Sequence, residues 1–379
     1  MTIHCTWFAL FGHSCYILCN TLCNVYIAVL VAILQQPKSF KGRFVLPIRQ
    51  NASARQIAEM VGVSIATVSR ALNTPQQVTP ETRDRVLAAA NRVGYRPSPL
   101  GRNLVVGRSH LVGLIVPNIG FPLYGLMARS LEDVLEPLGL RALLASSDDD
   151  ADREIEAAHS LLRHAVDGGI VINSRANERL PQGPRFPWVH IAPEAAGMAG
   201  AVELDNRAGG RLAAIHLLET GRRRLAHVAG PGREGEDREA GWLEALGAAG
   251  LEAVGRELGD YSEAAGRAGT RAILERVGRA GLDGLFLSGD VMAAGAMREL
   301  RETGLRVPED VAVIGFDDAE FAGMLEPPLT TVRQPARAMG AAAAHLLLHV
   351  HTLDPPQLET APVLFEPELV IRGSTLNRS

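Results

Sequence analysis

The chain has 379 residues, of which 47% are hydrophobic and 21% are charged, and its formal net charge is -4. This length exceeds what one hydrophobic core usually supports and suffices for two or three domains. The charge is unevenly distributed: residues 1–50 carry +4, residues 51–110 carry +5 and the remaining 269 residues carry -13. The negative total argues against a protein that coats nucleic acid along its whole surface, but a basic module before an acidic body is typical of proteins in which one domain contacts phosphates.

The first fifty residues differ in composition from the rest of the chain. Residues 1–37 contain no Asp, Glu, Lys or Arg, and residues 15–34 form an uncharged stretch that is long enough to cross a membrane. Two interpretations remain open, a membrane anchor and an upstream sequence translated from a start codon placed too early. Mass spectrometry of the native N terminus would distinguish them.

All the cysteines of the chain lie in this first segment, at Cys5, Cys15, Cys19 and Cys23. Their spacing matches no common zinc site, and the body of the protein, without cysteine, does not depend on disulfides. We therefore expect a cytoplasmic protein without a metal or other cofactor.

Residues 53–73 predict two short helices joined by a tight turn. Ser53 and Ser64 are placed to cap the two helices, and Gly62 permits the turn between them. Apolar side chains recur at helical spacing, so that each helix buries one face: Ile57, Ala58 and Val61 in the first, and Val68 with Ala71 or Leu72 in the second. This spacing is typical of a helix-turn-helix, whose second helix enters the major groove of DNA.

The exposed face of the second helix is predicted to contact base edges. Arg70 can make a bidentate contact to guanine, whereas Ile65 and Ala66 can touch thymine methyl groups. The predicted DNA-binding residues of this segment are Ser64, Ile65, Ala66, Thr67, Ser69, Arg70 and Asn73. On this segment alone, two ordinary packed helices with a surface arginine remain an alternative.

A third helix is predicted to complete a DNA-binding domain over residues 51–97. Thr79 is placed as its N-cap, Pro80 as its first residue and Glu81 in its first turn, and the segment from Tyr95 onward ends it.

In these residues the chain resembles the LacI/GalR family, the class of the bacterial lactose and galactose repressors. The resemblance rests on Ile-Ala-x-x-Val-Gly-Val-Ser-x-x-Thr-Val-Ser-Arg-x-Leu-Asn at 57–73, on Val-Thr-Pro-x-Thr-Arg-x-x-Val at 78–86 and on Gly-Tyr-x-Pro at 94–97. It implies a homodimer, or a tetramer, that binds a pseudo-palindromic double-stranded operator with one half-site for each DNA-binding domain.

The resemblance extends into residues 98–110, where it implies a hinge helix that forms only on operator DNA. A leucine of this helix enters the minor groove, and Leu104 holds that position here, with Arg102 as a second DNA-binding residue. Gly101 and Ser98 depart from the family pattern. Since glycine disfavours a helix by roughly 1 kcal/mol, the hinge is predicted to depend on DNA in order to fold.

Residues 111–379 alternate between short apolar runs and amphipathic stretches, which indicates a doubly wound α/β fold with parallel strands in two lobes. The predicted buried strands cover residues 111–116, 140–145, 169–172, 188–191, 225–229, 285–287 and 311–316. The predicted helices cover residues 123–138, 152–165, 206–220, 236–249 and 290–303.

The body carries no sequence motif of an enzyme. It has no G-x-G-x-x-G after the first strand, no G-x-x-x-x-G-K-[ST], no nucleophile elbow and no H-E-x-x-H, and its histidines stand at no catalytic spacing. We therefore expect a protein that is not an enzyme. A periplasmic-type solute-binding protein would have the same body, but it would not carry residues 53–104.

Further segments resemble the effector-binding core of the family, which is similar to periplasmic sugar-binding proteins. They include residues 202–206, 226–230, 238–242, 290–295, 307–310, 313–317 and 328–335. The resemblance implies a ligand cleft between the lobes, beyond the carboxyl ends of the strands. Asp317 is expected to accept hydrogen bonds from ligand hydroxyls, and Arg238 is expected to donate them.

Other residues are weaker candidates for the same cleft. Asp290 matches an acidic family position, although Gly289 replaces the family's Asn before it. Phe121 and Tyr124 could stack on a sugar ring or simply pack. Three residues at or beyond strand ends could reach the cleft: Asp148, Asn173 and His190.

The function expected from these features is that of a ligand-responsive repressor of an operon for a sugar or related metabolite. A sugar, a sugar acid or a similar polar metabolite fits the Asp317 and Arg238 pair, and a purine stays open. Also open are an activator with the same fold, a membrane-tethered regulator if residues 1–37 belong to the protein, and the choice between inducer and corepressor.

Overall fold

The computed structural model describes residues 53–95, 108–176, 179–181, 186–192, 198, 200–350 and 361–376. The chain divides into two compact units, residues 1–97 and 98–379. The predicted first segment, residues 1–50, and the predicted hinge residues Arg102 and Leu104 lie outside the described residues. Within the described part, no helix is both long enough and apolar enough to span a membrane.

The first unit contains the predicted three helices, α1 (Ala54–Val61), α2 (Ile65–Asn73) and α3 (Pro80–Arg92). The predicted caps form as expected: Ser53 Oγ accepts from the Gln56 amide, Ser64 Oγ from the Thr67 amide and Thr79 Oγ1 from the Thr82 amide. Gly62 ends α1 with a φ of 72°, a left-handed conformation that glycine adopts without steric cost.

A small apolar core joins these three helices. Ile57, Val68 and Val86, one from each helix, have no exposed surface. The Arg85 guanidinium donates to the carbonyl oxygen of Val61 at 2.6 Å, which ties α3 to the end of α1. The helix-turn-helix is therefore held together by a core of its own.

The second unit consists of two lobes, each built on one sheet. Lobe 1 contains β1 (Leu111–Val116), β2 (Arg141–Ser146), β3 (Gly168–Ile172), β4 (Trp188–Ile191), β5 (Ala201–Leu204) and β11 (Val363–Phe365), with α4 (Pro122–Leu135), α5 (Ala151–Arg163) and α10 (Ala336–Val350). Lobe 2 contains β6 (Leu225–Ala229), β7 (Gly255–Leu258), β8 (Gly284–Leu287), β9 (Ala312–Asp317), β10 (Thr330–Arg333) and β12 (Glu368–Val370), with α6 (Asn206–Glu219), α7 (Gly232–Ala248), α8 (Glu263–Val277) and α9 (Asp290–Glu302).

The two sheets have equivalent strand orders, β11-β5-β4-β3-β1-β2 in lobe 1 and β12-β10-β9-β8-β6-β7 in lobe 2. All pairs of described strands are parallel except β10 and β12, which pair antiparallel with Val332 opposite Leu369. Helices cover the sheets, as a doubly wound fold requires, and the predicted fold class is confirmed.

The structure corrects parts of the strand and helix predictions. β2 is not a buried strand: it lies at the edge of its sheet, and Leu144 on it is 38% exposed. Several elements lack a predicted counterpart, namely β5, β7, β10, β11, β12, α8 and α10. The strands among these have only three or four residues, too few for a periodic pattern. In α10 the sequence is apolar nearly all round, so no polar face marks it as a helix.

The chain passes between the lobes three times, from β5 to α6, from β10 to α10 and from β11 to β12. Helix α6 packs on β8, β10 and β12 of lobe 2, whereas α10 packs on β3, β4 and β5 of lobe 1. Side chains at these crossings consequently lie between the lobes. Asn206 and Gln334 stand at two of them.

Candidate DNA-binding helix and effector cleft

Helix α2 presents its polar side away from the core of the first unit. Val68 and Ala71 are buried, Thr67 is half-buried, and the other predicted contact residues are exposed: Ser64, Ile65, Ala66, Ser69, Arg70 and Asn73. Ile65 is a large apolar side chain with 52% of its surface exposed at the start of the helix. An apolar group and a long cation on one exposed helical face can contact a thymine methyl and a guanine edge, respectively.

A cavity of about 20 Å³ lies between the two lobes. Its polar lining comes from both lobes and from the crossings between them: Tyr124, Asn173, Asn206, Glu234, Arg238 and Gln334. The remaining lining is apolar, with residues such as Leu123, Met127, Ile191 and Met339. A concave, mostly apolar site with a few convergent polar groups is typical of a small-molecule binding site.

Arg238 is buried and held on three sides. Its Nε donates to Asn206 Oδ1 at 2.8 Å and its Nη1 to the carbonyl oxygen of Ser288 at 2.5 Å. Its guanidinium also stacks on the ring of Phe316. The residue lies in the second turn of α7, because that helix begins at Gly232 and not at the predicted residue 236.

Asp317 ends β9, as predicted, and has a φ of 112°, a strained conformation for any residue but glycine. Asp317 does not itself line the cavity, but Gln334, which does, donates from Nε2 to its Oδ1 at 2.6 Å. Burial raises the pKa of Asp317 to about 6, against the opposing effects of Arg238 and of the Gln334 hydrogen bond. Such strain and such a pKa are both common in functional sites.

Asp290, a predicted ligand residue, is instead used inside the protein. It has no exposed surface, and its carboxylate accepts from Thr331 Oγ1 at 2.6 Å and from the Ala319 amide at 2.7 Å. Burial raises the pKa of Asp290 well above its ordinary value, and the nearby charge of Asp317 adds to this effect. Asp290 thus holds the strained turn that follows Asp317.

Two tyrosines face the charged groups of the cleft. Burial raises the pKa values of Tyr124 and Tyr261, and the carboxylates of Glu234 and Asp317 raise both further. Tyr124 lines the cavity, and its hydroxyl accepts from Asn173 Nδ2 at 3.2 Å. Tyr261 packs against Gly230 so closely that a Cβ on that glycine would meet its ring.

The other residues predicted to bind the effector lie outside the cluster formed by Arg238, Asp317 and the two tyrosines. Phe121 precedes α4 and is half-buried, with its ring 6.0 Å from that of Tyr124, but it does not line the cavity. Asp148 is exposed and pairs with Arg153. His190 is buried on β4, and burial lowers its pKa to about 4. Asn173 alone of the three weaker candidates lines the cavity.

Sequence reasoning did not select Asn206, Glu234, Gln334 or Tyr261 as site residues. The first and third stand in segments that resemble the family, Val202–Asn206 and Pro328–Pro335, so a signal for them was present. Nothing in the pattern around Glu234 or Tyr261 marks either as a cleft residue, because only the folded chain brings them to Arg238.

Two family profiles match the chain. Residues 54–98 match the profile of bacterial regulatory proteins of the lacI family, and residues 214–375 match that of the periplasmic binding protein-like domain. The chain is also 33% identical over 323 residues to the ribose operon repressor of Halalkalibacterium halodurans, which covers 85% of this chain and 96% of the relative. The chain belongs to the lacI family of bacterial regulatory proteins. The recognition made from residues 57–97 is confirmed, and the chain is a DNA-binding transcriptional regulator.

Other relatives and solved structures agree with this family. The transcriptional regulator CelR of Thermobifida fusca is 34% identical over 343 residues, or 86% of this chain and 99% of the relative. The crystal structure of the lac repressor dimer bound to operator and an anti-inducer matches with a TM-score of 0.77 and 26% identity, over 86% of this chain and all of that one. A CelR complex with cellobiose matches with a TM-score of 0.63 and 32% identity, over the same shares.

Proposed function

We propose that this family member is a repressor that binds a pseudo-palindromic operator as a homodimer. Its affinity for the operator falls or rises when a sugar or related metabolite occupies the cleft. Its activity is regulation by binding rather than catalysis, and it acts on DNA in the cytoplasm. The observation that carries the proposal is the exposed face of α2 on a helix-turn-helix, in a chain that also has a cleft lined by polar groups of both lobes.

The DNA-binding part of the proposal assigns base contacts to Arg70, Ile65 and Ala66. All three are exposed on α2, while the buried side of the same helix is fully used in the core. The hydroxyl of Ser64 is already engaged as the N-cap, so it would approach the phosphate backbone rather than a base. Relatives named as repressors, the ribose operon repressor of Halalkalibacterium halodurans and CytR of Escherichia coli, support a repressor over an activator.

The effector part of the proposal assigns ligand contacts to Arg238, Asp317 and Tyr124. Their polar atoms come from both lobes, so a bound ligand would link the lobes and change their separation. Solved relatives carry cellobiose in one case and D-xylulofuranose in another. A hydroxyl-rich ligand suits a cleft whose polar atoms both donate and accept.

Mapping of the DNA bound by the protein across its genome tests the first part. We expect a palindromic consensus upstream of transport or catabolic genes, and weaker bound peaks in an Arg70→Ala variant. Metabolites of the neighbouring pathway are then screened by thermal shift, with Asp317→Asn as the control that should not respond. Bound sites without dyad symmetry would contradict the proposed homodimer on a palindrome.

A further inference from the structure

The loop after β3 carries an arginine that reaches across the cleft. Arg175 belongs to lobe 1, and its guanidinium Nη2 lies 3.5 Å from Glu234 Oε1 in the first turn of α7 in lobe 2. The same nitrogen lies 3.6 Å from Oδ1 of Asp149, which follows β2 in lobe 1. One cation therefore bridges two carboxylates that belong to different lobes.

The backbone of lobe 2 makes room for this guanidinium. A Cβ added to Gly232, the first residue of α7, would lie 2.4 Å from Arg175 Nη1. Any side chain at this position would therefore displace the arginine. Gly232 also has a φ of 78°, which disfavours other residues there. The contact consists of close packing as well as charge.

The loop that carries Arg175 is held in place by a buried carboxylate. Glu154 of α5 is 1% exposed, and it accepts hydrogen bonds from the Arg175 amide at 2.8 Å, from the Ala176 amide at 3.3 Å and from the Ser174 hydroxyl. Because the backbone on both sides of Arg175 is fixed, its side chain loses less conformational freedom when it pairs with Glu234.

The ion pair of Arg175 and Glu234 is largely shielded from solvent. The side chain of Arg175 is 19% exposed and that of Glu234 is 8% exposed, so solvent screens their attraction less than it screens a surface pair. Glu234 also stands in the first turn of α7, where the helix dipole attracts a carboxylate. By contrast, the ion pair of Arg179 with Asp152 in lobe 1 is more than half exposed on both sides.

From these contacts we infer that Arg175 is an interlobe latch: it positions lobe 1 against lobe 2 by pairing with Glu234 and holds the cleft closed without ligand. The latch is independent of the ligand's identity, and it relies on the proposed effector cleft only for its consequence in regulation. A ligand that stabilises another lobe separation would have to overcome this pair. The strength of the Arg175–Glu234 pair thereby sets part of the free-energy difference between the closed arrangement of the lobes and the arrangement that the ligand stabilises.

Distance measurements between spin labels on the two lobes test the latch. Glu156→Cys on α5 and Glu275→Cys on α8 place one label on each lobe, in the full chain with the four native cysteines changed to serine. Dilution with unlabelled protein restricts the signal to distances within one protomer. We expect Arg175→Gln and Glu234→Gln each to shift the ligand-free distribution to longer distances, with a roughly fivefold fall in the closed population.

The double variant Arg175→Gln with Glu234→Gln should add little to either single variant, because both remove the same pair. Arg179→Gln, which breaks an exposed pair within lobe 1, is the matched control and should leave the distribution unchanged. Circular dichroism checks that each variant is folded. An unchanged distribution in both single variants, or an equal shift in Arg179→Gln, would overturn the latch.

Discussion

The guanidinium carbon of Arg238 lies 3.6 Å from the centre of the Phe316 ring. Phe316 directly precedes Asp317, so one strand end supports the cation and presents the anion beside it. With Asn206 and the Ser288 carbonyl fixing the guanidinium plane, both charged groups are oriented before a ligand arrives. Because these side chains are already ordered, ligand binding costs less conformational entropy.

Replacement of Asp317 by asparagine should remove the response to ligand and leave operator binding intact. The change keeps the shape and the oxygen that Gln334 contacts, but it removes the charge that would accept two ligand hydroxyl hydrogen bonds. Operator release measured against ligand concentration tests this, with Asp310→Asn on the surface of lobe 2 as the control. A fully responsive Asp317→Asn protein would exclude this residue from the ligand site.

The same variant should change how stability depends on pH. Burial raises the pKa of Asp317 to about 6, so the folded state favours the protonated form. This contribution is full below the unfolded pKa and is lost as the pH rises through about 6. Asp317→Asn should therefore melt higher than the wild type near pH 7.5, and the difference should shrink towards about pH 4.5.

Asp310 provides a control of opposite sign for these melting curves. Its hydrogen bonds with Arg306 lower its pKa to about 2, so its stabilising contribution is present at neutral pH and lost only in acid. Asp310→Asn should melt slightly lower than the wild type near pH 7.5. A melting-temperature difference for Asp317→Asn that stays constant across this pH range would contradict the raised pKa.

A Gly210→Ala substitution should destabilise the protein and disturb Arg238. Helices α6 and α7 pack so closely that a Cβ on Gly210 would lie 1.8 Å from the Arg238 carbonyl oxygen. Relief of this clash must move the backbone that carries the guanidinium, at a cost of roughly 3 kcal/mol in unfolding free energy. Urea denaturation measures it. Gly247→Ala, in α7 with no atom within 4 Å of the added Cβ, should be neutral or stabilising.

An Arg70→Ala substitution should weaken operator binding by about 1 to 3 kcal/mol and relax the base preference at one position of each half-site. The physical reason is loss of a bidentate contact to guanine from an exposed position on α2. Selection of binding sites from random DNA, repeated with the variant, measures both effects. Arg92→Ala on α3 is the comparison and should leave the base preference unchanged. If the consensus is the same with Arg70→Ala, residues other than Arg70 must determine the base preference.

The sequence predicted the three helices of the first unit almost completely. Its helix bounds, the caps Ser53, Ser64 and Thr79, and the turn at Gly62 all depend on neighbours within four residues, so local pattern and local hydrogen bonding determine them. The alternation of strands and helices also predicted the two-lobed α/β fold of the body, although not all of its elements. Short edge strands such as β12 were missed, because three residues carry no period.

The cleft was only partly predictable. Family resemblance pointed to Arg238, which lines the cavity, and to Asp317 and Asp290, which do not. The carboxylate of Asp290 instead accepts from Thr331 and Ala319. Whether a polar side chain faces a ligand or a backbone amide depends on atoms far away in sequence. No spacing rule encodes that choice.

What the sequence determined by itself was therefore the kind of molecule: a helix-turn-helix followed by a two-lobed, doubly wound α/β body. The tertiary structure decided which charges meet. Arg175 and Glu234 stand 59 residues apart and in different lobes, yet their side chains pair. The reason is physical: local patterns fix elements, whereas the three crossings between lobes fix which strand ends and helix starts face one another across the cleft.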